Sequence, residues 1–274
     1  MEADNRQGML LGKHTPVADE YSPQLLYRIP RSEARQRLGL HDPLPFTGVD
    51  LWHAYEMSWL DQGGKPVVRV GRFVIPADSP NMVESKSFKL YLNSLNNTRF
   101  EHEEAFRATV LRDVSEVVET AVTLDLFDPV DPVLAGIELP GIGLDELCVE
   151  PLAREPSPAM LDLGAQEYIE ERLYSHLLRS LCTVTGQPDW ASVWIHYRGA
   201  AIEHHSLLQY IIAYRQHQEF HEQCVERMFS DILQRYKPDF LHLQAFYTRR
   251  GGLDINPFRS TDPHATPFPR LDRQ

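Results

Sequence analysis

Several protein classes are excluded by what this sequence has little of. Its 274 residues contain three cysteines, Cys148, Cys182 and Cys224, spaced 34 and 42 apart. An odd number at those intervals fits neither a disulfide framework nor a zinc ribbon, so at least one is expected as a thiol. No apolar run approaches the ~18 residues of a transmembrane helix, and the start, MEADNRQGML, lacks the basic and apolar regions of a secretory signal. A cytoplasmic chain without membrane association is expected. Basic residues are outnumbered, 27 Lys and Arg against 39 Asp and Glu, for a net charge of −12. That balance argues against direct nucleic-acid binding. Two signatures are also missing. No G-x-G-x-x-G supports a Rossmann cofactor site, and Val225 stands where a His-Glu-x-x-His zinc motif needs its second histidine.

The remaining composition, 42% hydrophobic and 24% charged, is that of a globular protein. The length suits one large domain or two of roughly 100 to 150 residues. Internal comparison favours two. SWLDQGGKP (58–66) aligns with SLCTVTGQP (180–188), placing Ser58 on Ser180, Gly64 on Gly186 and Pro66 on Pro188. Strand-forming aromatic and β-branched residues flank both blocks, so each half is expected to begin with a hairpin. ESKSFKLY (84–91) then aligns with EHHSLLQY (203–210), and the same offset places His102 and Glu103 on His221 and Glu222. Helical periodicity follows in both halves, then short strand-like runs. The expected unit is strand, strand, helix, helix and more strand, used twice. Residues 1–48 form a loop-rich lead, 49–150 the first unit and 151–274 the second, with a loop-rich connection around 128–160.

The halves differ in chemistry. On this alignment Cys182 falls opposite Leu60 and Asp189 opposite Val67, while Lys86 and Lys89 fall opposite His205 and Leu208. Thiol and carboxylate are in one half, cations in the other. A hairpin could bring Cys182 and Asp189 within hydrogen-bond reach, making a nucleophile with its acid or base. A buried cysteine acting as a small hydrophobe satisfies the same spacing, and that packing role is the one expected for Cys148 and Cys224. His221 and Glu222 point about 100° apart on a helix, which suits gripping different edges of one ligand. His217 and His221 could share a metal or simply be solvated. Arg249 and Arg250 before Gly251 and Gly252 offer forks beside approachable backbone, a phosphate site or a solvated strand end.

ESKSFKLYLNS, CTVTGQPDW, EFHEQCVER and YTRRGGLDINP, in that order, resemble the long form of NADPH-dependent 7-cyano-7-deazaguanine reductase. This is the nitrile reductase of queuosine biosynthesis, a tRNA-modification pathway. The resemblance covers nearly the whole chain from about residue 40. It implies an α+β tunnelling fold of two tandem ββααββ units, antiparallel sheets with helices on one face, assembled as a homodimer or larger homo-oligomer. It implies reduction of the nitrile of 7-cyano-7-deazaguanine to an aminomethyl group with NADPH as co-substrate and no metal. Cys182 would be the nucleophile forming a covalent thioimide, Asp189 would handle protons, and His221, beside the glutamates that hold the substrate, would be a further catalytic residue. Glu84, Ser85, Lys86, His221 and Glu222 would hold the substrate. Lys86, Ser87, Lys89, Arg249, Arg250 and Gly251 would contact NADPH. A zinc-dependent pterin or purine hydrolase of the same fold and a non-catalytic nucleobase-binding module are the alternatives.

Overall fold

A computed structural model describes residues 20–150 and 155–274. The first 19 residues of the lead and residues 151–154 of the connection lie outside the described residues. In chain order the elements are β1 (Arg28–Pro30), α1 (Ser32–Arg37), β2 (Thr47–Leu60), β3 (Pro66–Pro76), β4 (Asn81–Val83), α2 (Ser85–Ser94), α3 (Glu103–Val118) and β5 (Thr123–Phe127). They continue with β6 (Ile142–Gly143), β7 (Leu163–Ser175), β8 (Arg179–Leu181), β9 (Pro188–Ile202), α4 (His204–Ala213), α5 (His221–Tyr236), β10 (Phe240–Tyr247) and β11 (Leu253–Ser260). The fold is α+β with antiparallel sheets, as expected.

The chain divides into two compact units. The first holds residues 20–33, Trp52–Leu134 and Arg249–Asp254. The second holds Ala34–Leu51, Ala135–Thr248 and Ile255–Gln274. This partition is not linear. The turn after β10 belongs with the first unit, and the part of the connection that follows Leu134 belongs with the second. There Trp194 Nε1–H donates to the Pro140 carbonyl at 2.9 Å, and Ile137 and Leu139 pack with Trp194, Phe246 and Leu271.

In the first unit the strand order is β5-β3-β2. Alternation along β3 turns Gly71, Phe73 and Ile75 into the core. Phe73 and Trp52 both meet Phe88 of α2 edge-on, at 5.1 and 5.5 Å between centroids, and Trp59 stacks on Phe106 of α3 at 4.1 Å. In the second unit the order is β11-β10-β9-β7-β6, with the short β8 on β9. Val193, Ile195 and Tyr197 of β9 are buried. So are Val225, Phe229 and Ile232, at the four- and three-residue spacing of one α5 face.

The duplication is visible in local geometry, and the geometry shifts two of the expected pairings. Asp61 N–H donates to the Lys65 carbonyl and Gly64 N–H to the Asp61 carbonyl, both at 3.0 Å. In the second half, Cys182 N–H donates to the Gln187 carbonyl at 2.9 Å and Gly186 N–H to the Cys182 carbonyl at 3.0 Å. Gly64 and Gly186 both have positive φ, 89° and 66°, where a side chain would be strained. The counterpart of Cys182 is therefore Asp61 and not Leu60, because the second turn is one residue longer.

The helices give the second correction. α3 and α5 each span 16 residues and end at a left-handed residue, Glu119 and Lys237. Asp113 accepts from Tyr91 Oη, and Asp231 from Tyr210 Oη, both at 2.7 Å. This pairing places His221 opposite Glu103 and Phe220 opposite His102, because the link between the helices is one residue shorter in the second half. His102 is an N-cap, its Nδ1 accepting from Ala105 N–H at 3.0 Å.

Candidate active site

In the second unit, β8 and β9 form a short antiparallel ribbon in which Arg179 faces Trp190, Ser180 faces Asp189 and Leu181 faces Pro188. Residues directly opposite share a face. Ser180 and Asp189 are buried. On the outer face, Trp190 is 38% exposed, with the Arg179 and Arg215 guanidinium carbons 5.5 and 5.4 Å from its ring centroid. Cys182 begins the turn that joins the two strands and is 5% exposed. The hairpin expected from the sequence is present and carries both the thiol and the carboxylate.

His221 is the first residue of α5. Its Nε2 lies 3.2 Å from Asp189 Oδ2. Its ring stacks on Tyr247 at 3.7 Å between centroids and 9° between planes, which fixes the imidazole plane. The other nitrogen, Nδ1, is buried with no hydrogen-bond partner among the described residues. A polar atom left so is costly unless something supplies a partner. Glu222, the next residue, is buried. The structure thus brings Asp189 and His221 into contact, with Cys182 on the turn of the hairpin that carries Asp189 and Glu222 next to His221 at the start of α5.

Of the two cysteines expected in packing roles, Cys224 is buried and Cys148 is exposed, so only Cys224 belongs to packing. Burial, with the Glu219 carboxylate, holds its thiol far above the ordinary range, so at neutral pH it stays protonated. His217 and His221 do not converge. His217 pairs with Glu155 and Glu219, whereas His221 pairs with Asp189. Tyr247 and Ser180 are neighbours of the site that the sequence did not single out. Nothing in a tyrosine at a strand end signals a stack on a histidine 26 positions earlier.

The remaining candidates lie in the first unit. Glu84 is the N-cap of α2, its two carboxylate oxygens accepting from Lys86 N–H at 2.9 Å and Ser87 N–H at 2.8 Å. Burial raises its pKa, and those two backbone donors oppose the rise. Glu203 caps α4 in the same way, through His205 N–H and Ser206 N–H. Ser87 is fully engaged as well. Its hydroxyl donates to the Glu84 carbonyl at 2.7 Å and accepts from Tyr27 N–H at 3.0 Å. Ser206 repeats the first of these bonds on Glu203. As a cofactor contact Ser87 has little left to offer, whereas Ser85 and Lys86 are half-buried on the opening turn of α2.

The cations are not one cluster. Trp52, Ala54 and Glu56 face α2, where Glu56 Oε2 pairs with Lys89 Nζ at 3.0 Å. His53 and Tyr55, alternating with them, face the other way, and Arg249 lies over the Tyr55 ring with its guanidinium carbon 3.3 Å from the centroid. Lys89 and Arg249 are therefore on opposite faces of β2. Between them the Arg250–Leu253 turn brings Gly251 close to Lys89, whose Cδ would stand 3.2 Å from an added Cβ. Lys89, Gly251, Gly252, Glu56 and Ala54 line a small pocket there.

Two family models match the chain. One, described as nitrile reductase, 7-cyano-7-deazaguanine-reductase N-terminal, covers residues 17–126, and one described as QueF-like protein covers residues 188–266. Proteins named NADPH-dependent 7-cyano-7-deazaguanine reductase are similar over nearly the full length. That of Dechloromonas aromatica is 54% identical over 97% of this chain and 94% of its own. That of Chromohalobacter salexigens is 51% identical over 96% of both. A solved structure, the archaeosine synthase QueF-Like in the apo form, is 14% identical with a TM-score of 0.30, covering 35% of this chain and 95% of that one. Matches of 50% and more across both units, with the cysteine hairpin and the His-Glu helix start in place, identify the chain as a member of the NADPH-dependent 7-cyano-7-deazaguanine reductase family.

Proposed function

We propose that this protein reduces the nitrile of 7-cyano-7-deazaguanine to the primary amine of 7-aminomethyl-7-deazaguanine, with Cys182 as nucleophile and Asp189 as proton donor. The observation that carries the reading is the pairing of Asp189 with His221 at 3.2 Å on the hairpin that begins its turn with Cys182. A nitrile is a poor hydride acceptor. Addition of the Cys182 thiol across it forms a C–S bond as one C–N π bond opens, and the thiol's proton reaches the nitrogen by way of Asp189, which takes up one proton as it gives one, leaving a neutral covalent thioimide. His221 orients Asp189, and a ligand at Nδ1 would satisfy an atom otherwise buried without a partner. Glu222 offers a carboxylate to the paired N–H donors of a guanine-like edge.

The first unit fits NADPH in kind. Lys86, Arg249 and Arg250 supply phosphate-binding cations, and Gly251 leaves backbone bare beside Lys89. When bound, the cofactor supplies hydride, two for each nitrile. By the end the C–S bond has broken and Cys182 is again a thiol. The working form is taken to be a homodimer or larger homo-oligomer, which light scattering tests. The chemical reading is tested by intact mass after mixing protein and nitrile without NADPH. Native protein should gain the mass of one nitrile and Cys182→Ala none. An adduct retained in Cys182→Ala would remove Cys182 as the nucleophile.

A further inference from the structure

Trp190, the residue after Asp189, belongs to a cluster that the nitrile chemistry does not use. Successive strand residues point to opposite faces, so the alternation that buries Asp189 turns Trp190 outward on the same ribbon. Two guanidinium groups gather at its ring, those of Arg179 and Arg215, with their carbons 5.5 and 5.4 Å from the centroid. Arg179 comes from the facing strand β8, and Arg215 from the 3-10 turn Tyr214–Gln216 between α4 and α5. Arg179 Nη1–H donates to the Arg215 carbonyl at 2.6 Å, which ties the two elements together.

Ion pairing within the fold does not account for this pair of cations. Among the described residues neither guanidinium meets a carboxylate, in a chain with 39 acidic and 27 basic residues. Arg198 and Arg227 of the same unit do meet one, in Asp239 and Glu219. Arg179 Nε is moreover buried with no hydrogen-bond partner among the described residues, which is costly unless something supplies an acceptor. The indole attracts each cation but neutralises neither, and the two repel one another. An anion bound between them relieves that repulsion. A phosphate group matches best, because its charge of about −1.5 to −2 at neutral pH balances two guanidinium groups and its several oxygens can meet two forks. A single carboxylate carries less charge and has oxygens for one fork.

We infer that Arg179, Arg215 and Trp190 form a binding site for a phosphate group, either the free anion or the phosphomonoester of a larger molecule, on the outer face of the hairpin that carries Asp189. The site lies within the second unit, shares no side chain with the cofactor candidates, and does not depend on the reaction proposed above.

The test is calorimetric binding of inorganic phosphate and of 5′-UMP, whose base is neither a deazapurine nor an adenine, at constant ionic strength in chloride. Tryptophan fluorescence is followed in the same titrations. Native protein should bind with a saturable fluorescence change that Trp190→Phe lacks. Arg215→Ala should weaken binding by about tenfold or more, the size of one lost charge-assisted contact. Arg215 is exposed, so this variant tests the site without removing a buried group. Arg215→Lys should recover only part of the loss, because an ammonium keeps the charge but not the fork. Lys86→Ala should bind phosphate as the native protein does. Tighter binding of 5′-UMP than of phosphate supports the site and assigns it to a phosphomonoester, whereas the reverse order supports it and assigns it to the free anion. No saturable binding of either ligand by native protein, or an affinity unchanged in Arg215→Ala, overturns the inference. A loss in Lys86→Ala as large as that in Arg215→Ala places the phosphate at the cofactor residues and refutes a separate site.

Discussion

Asp189 Oδ2 and His221 Nε2 are 3.2 Å apart, with the carboxylate side chain 4% exposed and the imidazole 13%. A buried carboxylate facing a histidine whose plane is locked by Tyr247 is poised for directional proton transfer. Asp189→Asn should bind the nitrile while losing about 100-fold or more in turnover, the usual scale of a lost general acid. Steady-state rates with a parallel binding titration check this. Turnover within a few fold of native would exclude Asp189 as the donor.

The two glutamate caps supply an internal control. Glu84 and Glu203 accept the same pair of backbone donors at the starts of α2 and α4. Replacing either by alanine should cost about 1 kcal/mol of stability, the ordinary value of an N-cap, measured by denaturant unfolding. Activity should separate them. If Glu84 also touches the substrate, Glu84→Ala raises the nitrile KM well beyond Glu203→Ala. Equal activities in the two variants would reduce Glu84 to its capping role.

A charge network within the second unit anchors the helix that carries His221 and Glu222. Arg259, fully buried, meets Glu226 of α5 and Asp50 of β2, each at 2.8 Å, and Arg35 reaches the same Glu226 at 2.8 Å. Removing Arg259 leaves the buried Asp50 and Glu226 carboxylates with one cation fewer between them. Arg259→Ala should therefore destabilise the protein by roughly 3–5 kcal/mol, read from urea midpoints at constant slope.

His217 gives a pH prediction. Burial alone would lower its pKa, but the Glu219 and Glu155 carboxylates outweigh burial and raise it. A folded-state pKa above the unfolded value of about 6.5 means the stabilisation is complete below that pH. It is lost as pH rises through the folded value. As pH rises from below that unfolded value, stability should therefore fall more steeply for native protein than for His217→Gln, measured by unfolding curves at successive pH values. Parallel slopes would contradict the assignment.

Hydrophobic periodicity, turn glycines and the repeat itself were enough to read the strand-strand-helix-helix order from the sequence. Two pairings were misaligned by one residue, Cys182 with Leu60 and His221 with His102. Ungapped comparison cannot see that one turn gained a residue while a later link lost one. The second-unit site was readable because its residues sit on a short hairpin and at a helix start, both local features. The roles of Glu84 and Ser87 were harder to foresee, because a capping motif and a ligand motif use the same side chains. Equally hidden was the separation of Lys89 from Arg249, since strand alternation decides which face each partner meets. Tyr247 and Tyr55 act through contacts with residues far away in sequence, and no spacing announces them.

The most direct test of the central claim is the stoichiometry of NADPH oxidation with 7-cyano-7-deazaguanine as limiting substrate, run in parallel with Cys182→Ala. Two equivalents of NADPH consumed per nitrile by the native protein, and none by the variant, is the result expected of a nitrile reductase working through Cys182. No NADPH oxidation by folded native protein with reduced thiols would contradict it.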